Sequence, residues 1–168
     1  REINNPFILF NSSIVERKRV ELAINFFKNS KLPKRGFKLL IAGKIHNSNY
    51  SNYIKIMCNK NKQIVLMDYV SEVEKMWLFL NTSLLISTSS SEGFGIPVLD
   101  AATLDLPVLA SNIPSHLEIK NLVNSKKITL LDTKNENAWI NYLSKLEIFD
   151  IENENSKLLR IKHFKKSL

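Results

Sequence analysis

The chain has 168 residues, 44% of them apolar, which is enough material for the core of one domain or slightly more. No run approaches the roughly eighteen consecutive apolar residues of a transmembrane helix, and the single Cys58 rules out an internal disulfide, fits a reducing compartment and reads as helix packing. A net charge of +8 favours anionic partners in general, from nucleotides and phosphorylated lipids to membrane surfaces and nucleic acid, without choosing among them.

The opening residues, Arg1 to Asn5, read as a cut through a longer chain. Phe7 to Phe10 is a compact strand, and a helix follows near Arg17 to Asn29 with Val20, Ala23, Ile24 and Phe27 on one face. Lys38 to Ala42 forms a second strand stopped by Gly43, and a second helix lies near Asn52 to Asn59. A third strand covers Gln63 to Met67. Ser71 and Glu74 then have capping-box spacing and open a helix whose apolar stripe is Val73, Met76, Trp77 and Leu80. A fourth strand, Leu84 to Ser87, leads through a loop into a helix opened by Pro97. Pro107 to Ala110 and Lys127 to Leu131 are strands five and six, and a helix near Ala138 to Leu146 carries Trp139, Tyr142, Leu143 and Leu146 on one face. Beyond a polar break at Asp150 to Asn155, the basic residues Lys157, Arg160, Lys162, Lys165 and Lys166 read as the solvated face of a helical extension over 149–168.

This alternation predicts an α/β domain over 1–148, a Rossmann-like parallel sheet with helices on both faces. In such a sheet ligands bind beyond the carboxyl ends of the strands. The rule gathers Lys18, Tyr69, Glu92, Gly93 and Gly95 onto one rim with no appeal to a motif. The densest segment there is Thr88 to Pro97, where two glycines precede a helix whose first amides suit an anion such as phosphate. Glu92 and Asp100 are either helix-dipole partners or acceptors for sugar hydroxyls at the two ends of a diphosphate. His46 and His116 read as solvated loop or capping residues and His163 as part of the basic tail. Trp77 and Trp139 read as core, and turn formation alone accounts for Ser111 and Asn112.

The run Glu92-Gly93-Phe94-Gly95-Ile96-Pro97-Val98-Leu99-Asp100-Ala101 resembles the signature of retaining glycosyltransferases of family 4, which have the GT-B fold. Phe10 to Lys18, Leu40 to Lys44, Met67 to Ser71, and Pro107 to Pro114 with Glu118 are similar to that family's other segments in order and spacing, so the likeness spans Pro6 to Leu146. It implies the C-terminal, nucleotide-sugar-binding half of such an enzyme. By the resemblance, Glu92 contacts hydroxyls of the transferred sugar and Asp100 those of the ribose, while Lys18 neutralises the diphosphate. Ser13, Gly43 and the amides near Gly93, Phe94, Gly95 and Ile96 hold the phosphates and sugar, and Tyr69 and Val70 line the base pocket. The donor is then a nucleotide diphosphate sugar, with no metal and no other cofactor. The acceptor is a glycan or lipid bound mainly by an N-terminal domain that this chain lacks. A cytoplasmic place with peripheral contact at the inner membrane face follows, and no nucleic-acid partner is expected.

Two places depart from the pattern. Ser12-Ser13 stands where the family usually has Gly-Arg, which removes a bidentate phosphate donor that Arg17 or Arg19 would have to replace. Asp100 is one methylene shorter than the usual glutamate. The isolated domain is expected to bind donor weakly and to transfer nothing alone. Competing readings are a non-catalytic binding module derived from a transferase and half of a sugar-nucleotide epimerase.

Overall fold

Short, almost wholly apolar runs form the strands β1 (Phe7–Asn11), β2 (Lys38–Ala42), β3 (Ile64–Met67), β4 (Leu84–Ser87), β5 (Val108–Ser111) and β6 (Ile128–Leu131) in a computed structural model that describes residues 5–146. They alternate with helices α1 (Val20–Asn29), α2 (Asn49–Asn59), α3 (Glu72–Asn81), α4 (Ile96–Thr103), α5 (Pro114–Val123) and α6 (Glu136–Ser144). The strands make one parallel sheet in the order β3-β2-β1-β4-β5-β6. The expected Rossmann-like architecture is therefore what the chain adopts.

Strands covered on both faces have to be apolar throughout. Along β1, Ile8 and Phe10 face a core shared with Val20, Ile24 and Phe27 of α1, Ile54 and Cys58 of α2, and Trp139 and Leu143 of α6. Phe7 and Leu9 face the other way, onto Leu78 and Phe79 of α3, Val98 and Ala101 of α4, and Ile119 of α5. Cys58 is buried as expected, and burial pushes its thiol pKa up to about 11, so it is packing material. Trp139 is fully buried and stacks on Phe26 with ring centroids 5.0 Å apart.

The succession of connections reverses beside β1, where β2 lies on one side and β4 on the other. Ile8 pairs with Leu39 across one ladder and with Leu84 across the other. The loops after β1 and β4 therefore leave the sheet side by side at the switch point, which is where such sheets form a crevice.

Three local expectations need correction. The apolar stripe assigned to α3 is not its buried face: Val73 is 81% exposed and Trp77 43% exposed, while Leu78 and Phe79 are buried. Trp77 is thus not core; it lies over Phe7 with centroids 6.1 Å apart. The helix α5 has no counterpart among the expected elements, although Pro114 at its start is a helix-opening signal. The first helix begins at Val20, not Arg17, because Glu16–Lys18 forms a separate 3-10 turn and Arg19 takes a left-handed conformation (φ 49°) between the two. The capping box at Ser71 and Glu74 is present in both directions. Among the described residues no helix is long and apolar enough to cross a membrane. The basic extension at 149–168 lies outside the described residues.

Candidate functional site at the switch point

The two loops at the switch point are stitched together by hydroxyl groups. Thr88, fully buried just past β4, donates from Oγ1 to the carbonyls of Lys18 (3.1 Å) and Arg19 (2.8 Å). Ser90 gives both its amide (2.8 Å) and its hydroxyl (3.1 Å) to the carbonyl of Arg17. These bonds hold the 3-10 turn and its left-handed end against the Gly-Phe-Gly loop. The turn then directs Lys18 inward.

Lys18 and Glu92 meet there as a buried pair. Lys18 Nζ lies 2.5 Å from Oε1 and 2.6 Å from Oε2, and the two side chains are only 8% and 7% exposed. Arg17 Nη1 donates to Oε2 at 3.0 Å and to the Ser91 carbonyl at 3.1 Å, and Ser89 Oγ donates to Oε1 at 2.6 Å. Burial by itself would raise the Glu92 pKa. The hydrogen bonds from Lys18, Ser89 and Arg17, with the lysine's charge, outweigh it and hold the carboxyl below its ordinary value. Two cations against one carboxylate leave a net positive charge at the switch point. Of the two arginines that flank Lys18, Arg17 reaches this cluster, whereas the Arg19 guanidinium turns to Thr133 Oγ1 at 3.1 Å.

The glycines differ in what they permit. Gly43 has φ 150°, and a Cβ there would lie 2.1 Å from the Ser12 carbonyl oxygen and 3.1 Å from the Ser13 amide nitrogen. The end of β2 thus lies hard against the loop after β1 because Gly43 has no side chain. Gly95, at φ 94°, is the N-cap of α4 and so offers that helix no side-chain cap. A Cβ on Gly93 would meet nothing within 4 Å, so the loop is open at that point.

The other expected rim residues are placed as follows. Phe94 (41%) and Ile96 (59%) are exposed beside Gly95. Tyr69 is exposed after β3, and Val70 packs partly on the core under α3 and α4. Asp68 fastens this loop to the one after β2, accepting from the amides of Ile45 (3.1 Å) and Tyr69 (2.8 Å). These bonds hold its pKa below the usual carboxylate value. Asp100 does not join the Lys18–Glu92 pair; its Oδ2 is 3.0 Å from Lys75 Nζ of α3. Glu118 lies on the exposed side of α5, along a shallow groove with Pro114, Leu117, Asn121 and Leu122. No group of three or more potential metal ligands occurs among the described residues.

Ser89, Ser111 and His116 were not singled out as site residues by the sequence. His116, expected at the surface or as a cap, is fully buried beneath Gly95, where a Cβ would come within 3.1 Å of its ring. Its Nδ1 is 2.9 Å from the Ser111 carbonyl, so Nδ1 carries the proton and donates, and the buried Nε2 has no partner among the described residues. Burial holds its pKa below 6.5, against the opposing pull of the Ser111 bond and the charge of Glu92. Below pH 6.5 the unfolded chain therefore binds a proton that the folded chain refuses. Stability from this residue is complete above that value and falls as pH drops from it toward the lower folded pKa. In urea titrations between about pH 5 and 7.5, His116→Asn should show a flatter stability profile than the parent. Equal slopes would mean that His116 titrates normally.

A doubly wound sheet with a cationic cluster at its switch point is the architecture of proteins that bind nucleotides and their conjugates. Comparison with known sequences makes the assignment narrower. Residues 2–157 match the family described as glycosyl transferases group 1, and the chain belongs to that family. It is 28% identical over 109 residues to the O-antigen biosynthesis glycosyltransferase WclY of Escherichia coli, a match covering 64% of this chain and 29% of that protein. Among solved structures, a glycosyltransferase from Rickettsia africae superposes with a TM-score of 0.74 at 22% identity, over 98% of this chain and 44% of that one. Anabaena Alr3699/HepE in complex with UDP and glucose gives 0.72 at 15% identity, over 95% of this chain and 44% of that one. The chain thus spans less than half the length of these relatives.

Proposed function

We propose that this chain is the donor-binding half of a retaining family 4 transferase, one that moves a hexose from a nucleotide diphosphate sugar to a glycan or lipid-linked acceptor. The observation that carries the reading is the Lys18–Glu92–Arg17 cluster, set beside a helix that starts on glycine with no side-chain cap. A transferase of this kind has to stabilise charge that grows on the departing diphosphate. Preorganised cations and amides do this best from a site where water is scarce. In this reading Lys18 and Arg17 take the diphosphate together with the amides of Phe94, Gly95 and Ile96, and Ser13 and Gly43 line its far side. Glu92 accepts from sugar hydroxyls, Asp100 from the ribose once it shares or releases Lys75, and Tyr69 and Val70 border the base. No side chain is assigned as nucleophile, and retention without one requires that departure and attack take place on the same sugar face. The UDP and glucose held by Alr3699/HepE are consistent with such a donor. We place the protein in the cytoplasm, where activated sugars are made, with peripheral contact at the inner membrane face through the acceptor-binding part of the longer protein.

The test is a calorimetric titration of the full-length protein with UDP, GDP, ADP and their sugar conjugates. One nucleotide series should bind saturably. Gly93→Val should leave the unfolding temperature unchanged, because the position is open, and weaken the matching nucleotide sugar about tenfold or more. Unaltered affinity in that variant, or no nucleotide binding at all, would defeat the reading.

A further inference from the structure

An ionised carboxylate has about four acceptor positions, and those of Glu92 are all in use. Oε1 accepts from Ser89 Oγ and Lys18 Nζ, and Oε2 accepts from Lys18 Nζ and Arg17 Nη1. A sugar hydroxyl can bond to this carboxylate only when one of those donors withdraws. The three donors are not equivalent. Lys18 and Arg17 are charged and are drawn to phosphate oxygens, and the Arg17 side chain is 51% exposed and free to swing. Ser89 carries no charge, is 1% exposed, and spends its single hydroxyl proton on Glu92.

Ser89 is itself held from behind. Its carbonyl accepts from Ser111 Oγ at 2.6 Å, at the end of β5. The carbonyl of Ser111 accepts in turn from His116 Nδ1 at 2.9 Å, in the first turn of α5. Ser111 and His116 are both buried. Three hydrogen bonds therefore run from α5 across the ends of β5 and β4 to one oxygen of Glu92. A network satisfied at each of these joints resists reorientation.

We propose that Ser89 is a positioning residue for Glu92: its hydroxyl, secured by Ser111 and His116, keeps the carboxylate aimed at the sugar while Arg17 and Lys18 move to an arriving diphosphate. Sugar recognition by Glu92 is then conditional on the diphosphate, since only the diphosphate vacates the acceptor positions. This rests on the donor-site reading given above.

The experiment compares Ser89→Ala, Ser111→Ala and Ser89→Thr in the full-length protein, with two readouts. The first is the titration of the Glu92 carboxyl followed by carbon-13 NMR, without and with UDP. Loss of the Ser89 bond should raise its midpoint by about one pH unit, and UDP should raise it further than in the parent protein. The second is turnover of UDP-glucose, UDP-N-acetylglucosamine and GDP-mannose. Ser89→Ala should lower kcat about tenfold or more with little change in KM, because aim is lost and donor affinity is kept. Ser89→Thr, which retains the hydroxyl, should recover most of it. Ser111→Ala reaches Glu92 indirectly, through the Ser89 carbonyl and a longer 3.4 Å contact with His116 Nδ1, and should shift both readouts the same way by less, which keeps the test decisive if Ser89→Ala fails to fold. An unshifted Glu92 midpoint, or a rise in KM at constant kcat, would overturn the proposal. A shifted midpoint in a protein that binds none of the nucleotides would instead overturn the donor-site reading and leave the grip of Ser89 on Glu92 standing.

Discussion

Glu92→Gln should reduce sugar transfer by the full-length protein at least about 100-fold in kcat while the domain stays folded. The amide oxygen can still accept from Lys18 and Ser89, but the buried lysine loses its counter-charge, so the stability cost is about 3 kcal/mol. The charge that answers the sugar and balances Lys18 is gone. Lys18→Met should cost a similar amount, about 3 kcal/mol, because it leaves a carboxylate only 7% exposed with Arg17 and Ser89 alone. Replacing both partners, as Lys18→Met with Glu92→Leu, should recover much of that loss, since neither charge is then stranded. Urea unfolding of Lys18→Met, Glu92→Leu and the double variant measures this directly, and strict additivity would contradict a coupled pair. The pH dependence has a definite sign. The folded pKa of Glu92 lies below its ordinary 4.5, so the pair's contribution is complete above that pH and disappears as pH falls through the folded value. The same acid limb should be absent in Glu92→Gln.

Gly43→Ala should destabilise the fold by at least about 3 kcal/mol. The added methyl would sit 2.1 Å from the Ser12 carbonyl oxygen and 2.5 Å from its carbon, both backbone atoms that cannot rotate away. It would also force a side chain to adopt φ 150°, a region that only glycine enters easily. Relief requires parting the loop after β1 from the end of β2, which would break the bond from the Ser12 amide to the Ala42 carbonyl. The damage should therefore reach the turn that carries Lys18. Gly93→Ala is the control: its Cβ would meet nothing within 4 Å, and the change should stay within about 0.5 kcal/mol. Similar losses for the two alanines, measured as chemical denaturation midpoints, would refute the steric account.

The sheet was readable because strands buried on both faces are apolar runs, and each run is interrupted by glycine, asparagine, serine or aspartate at or just after its end. The helices were less so. In α3, Val73 and Trp77 have the spacing of a buried stripe, but the neighbouring pair Leu78 and Phe79 turns to the sheet. In α5 the inward positions include His116, while Leu117 and Leu122 face solvent, so polarity ran opposite to burial and the helix was missed. Lys18 and Glu92 were brought together by topology alone, through the rule that loops after strands share an edge. Their supports were not foreseeable in the same way. Thr88, Ser89 and Ser90 read as an ordinary polar loop because their hydroxyls bond to groups up to some seventy residues away or to a side chain within the loop, and hydroxyl donors leave no periodicity in a sequence. The pairing of Asp100 with Lys75 was hidden for a related reason, since nothing in either helix specifies which cation approaches it.

The ladder between β1 and β4 joins Ile8 to Leu84. On a ribosome, β1 and β2 can meet early, but one long side of β1 waits until β4 has been made, some seventy residues after β1. During that interval Phe7, Leu9 and their neighbours present an apolar, unpaired ribbon to the cell, the kind of surface that chaperones bind and that aggregates when they do not. Mutations that slow the arrival of β4 should therefore be felt first as lower yield, ahead of any change in the finished molecule.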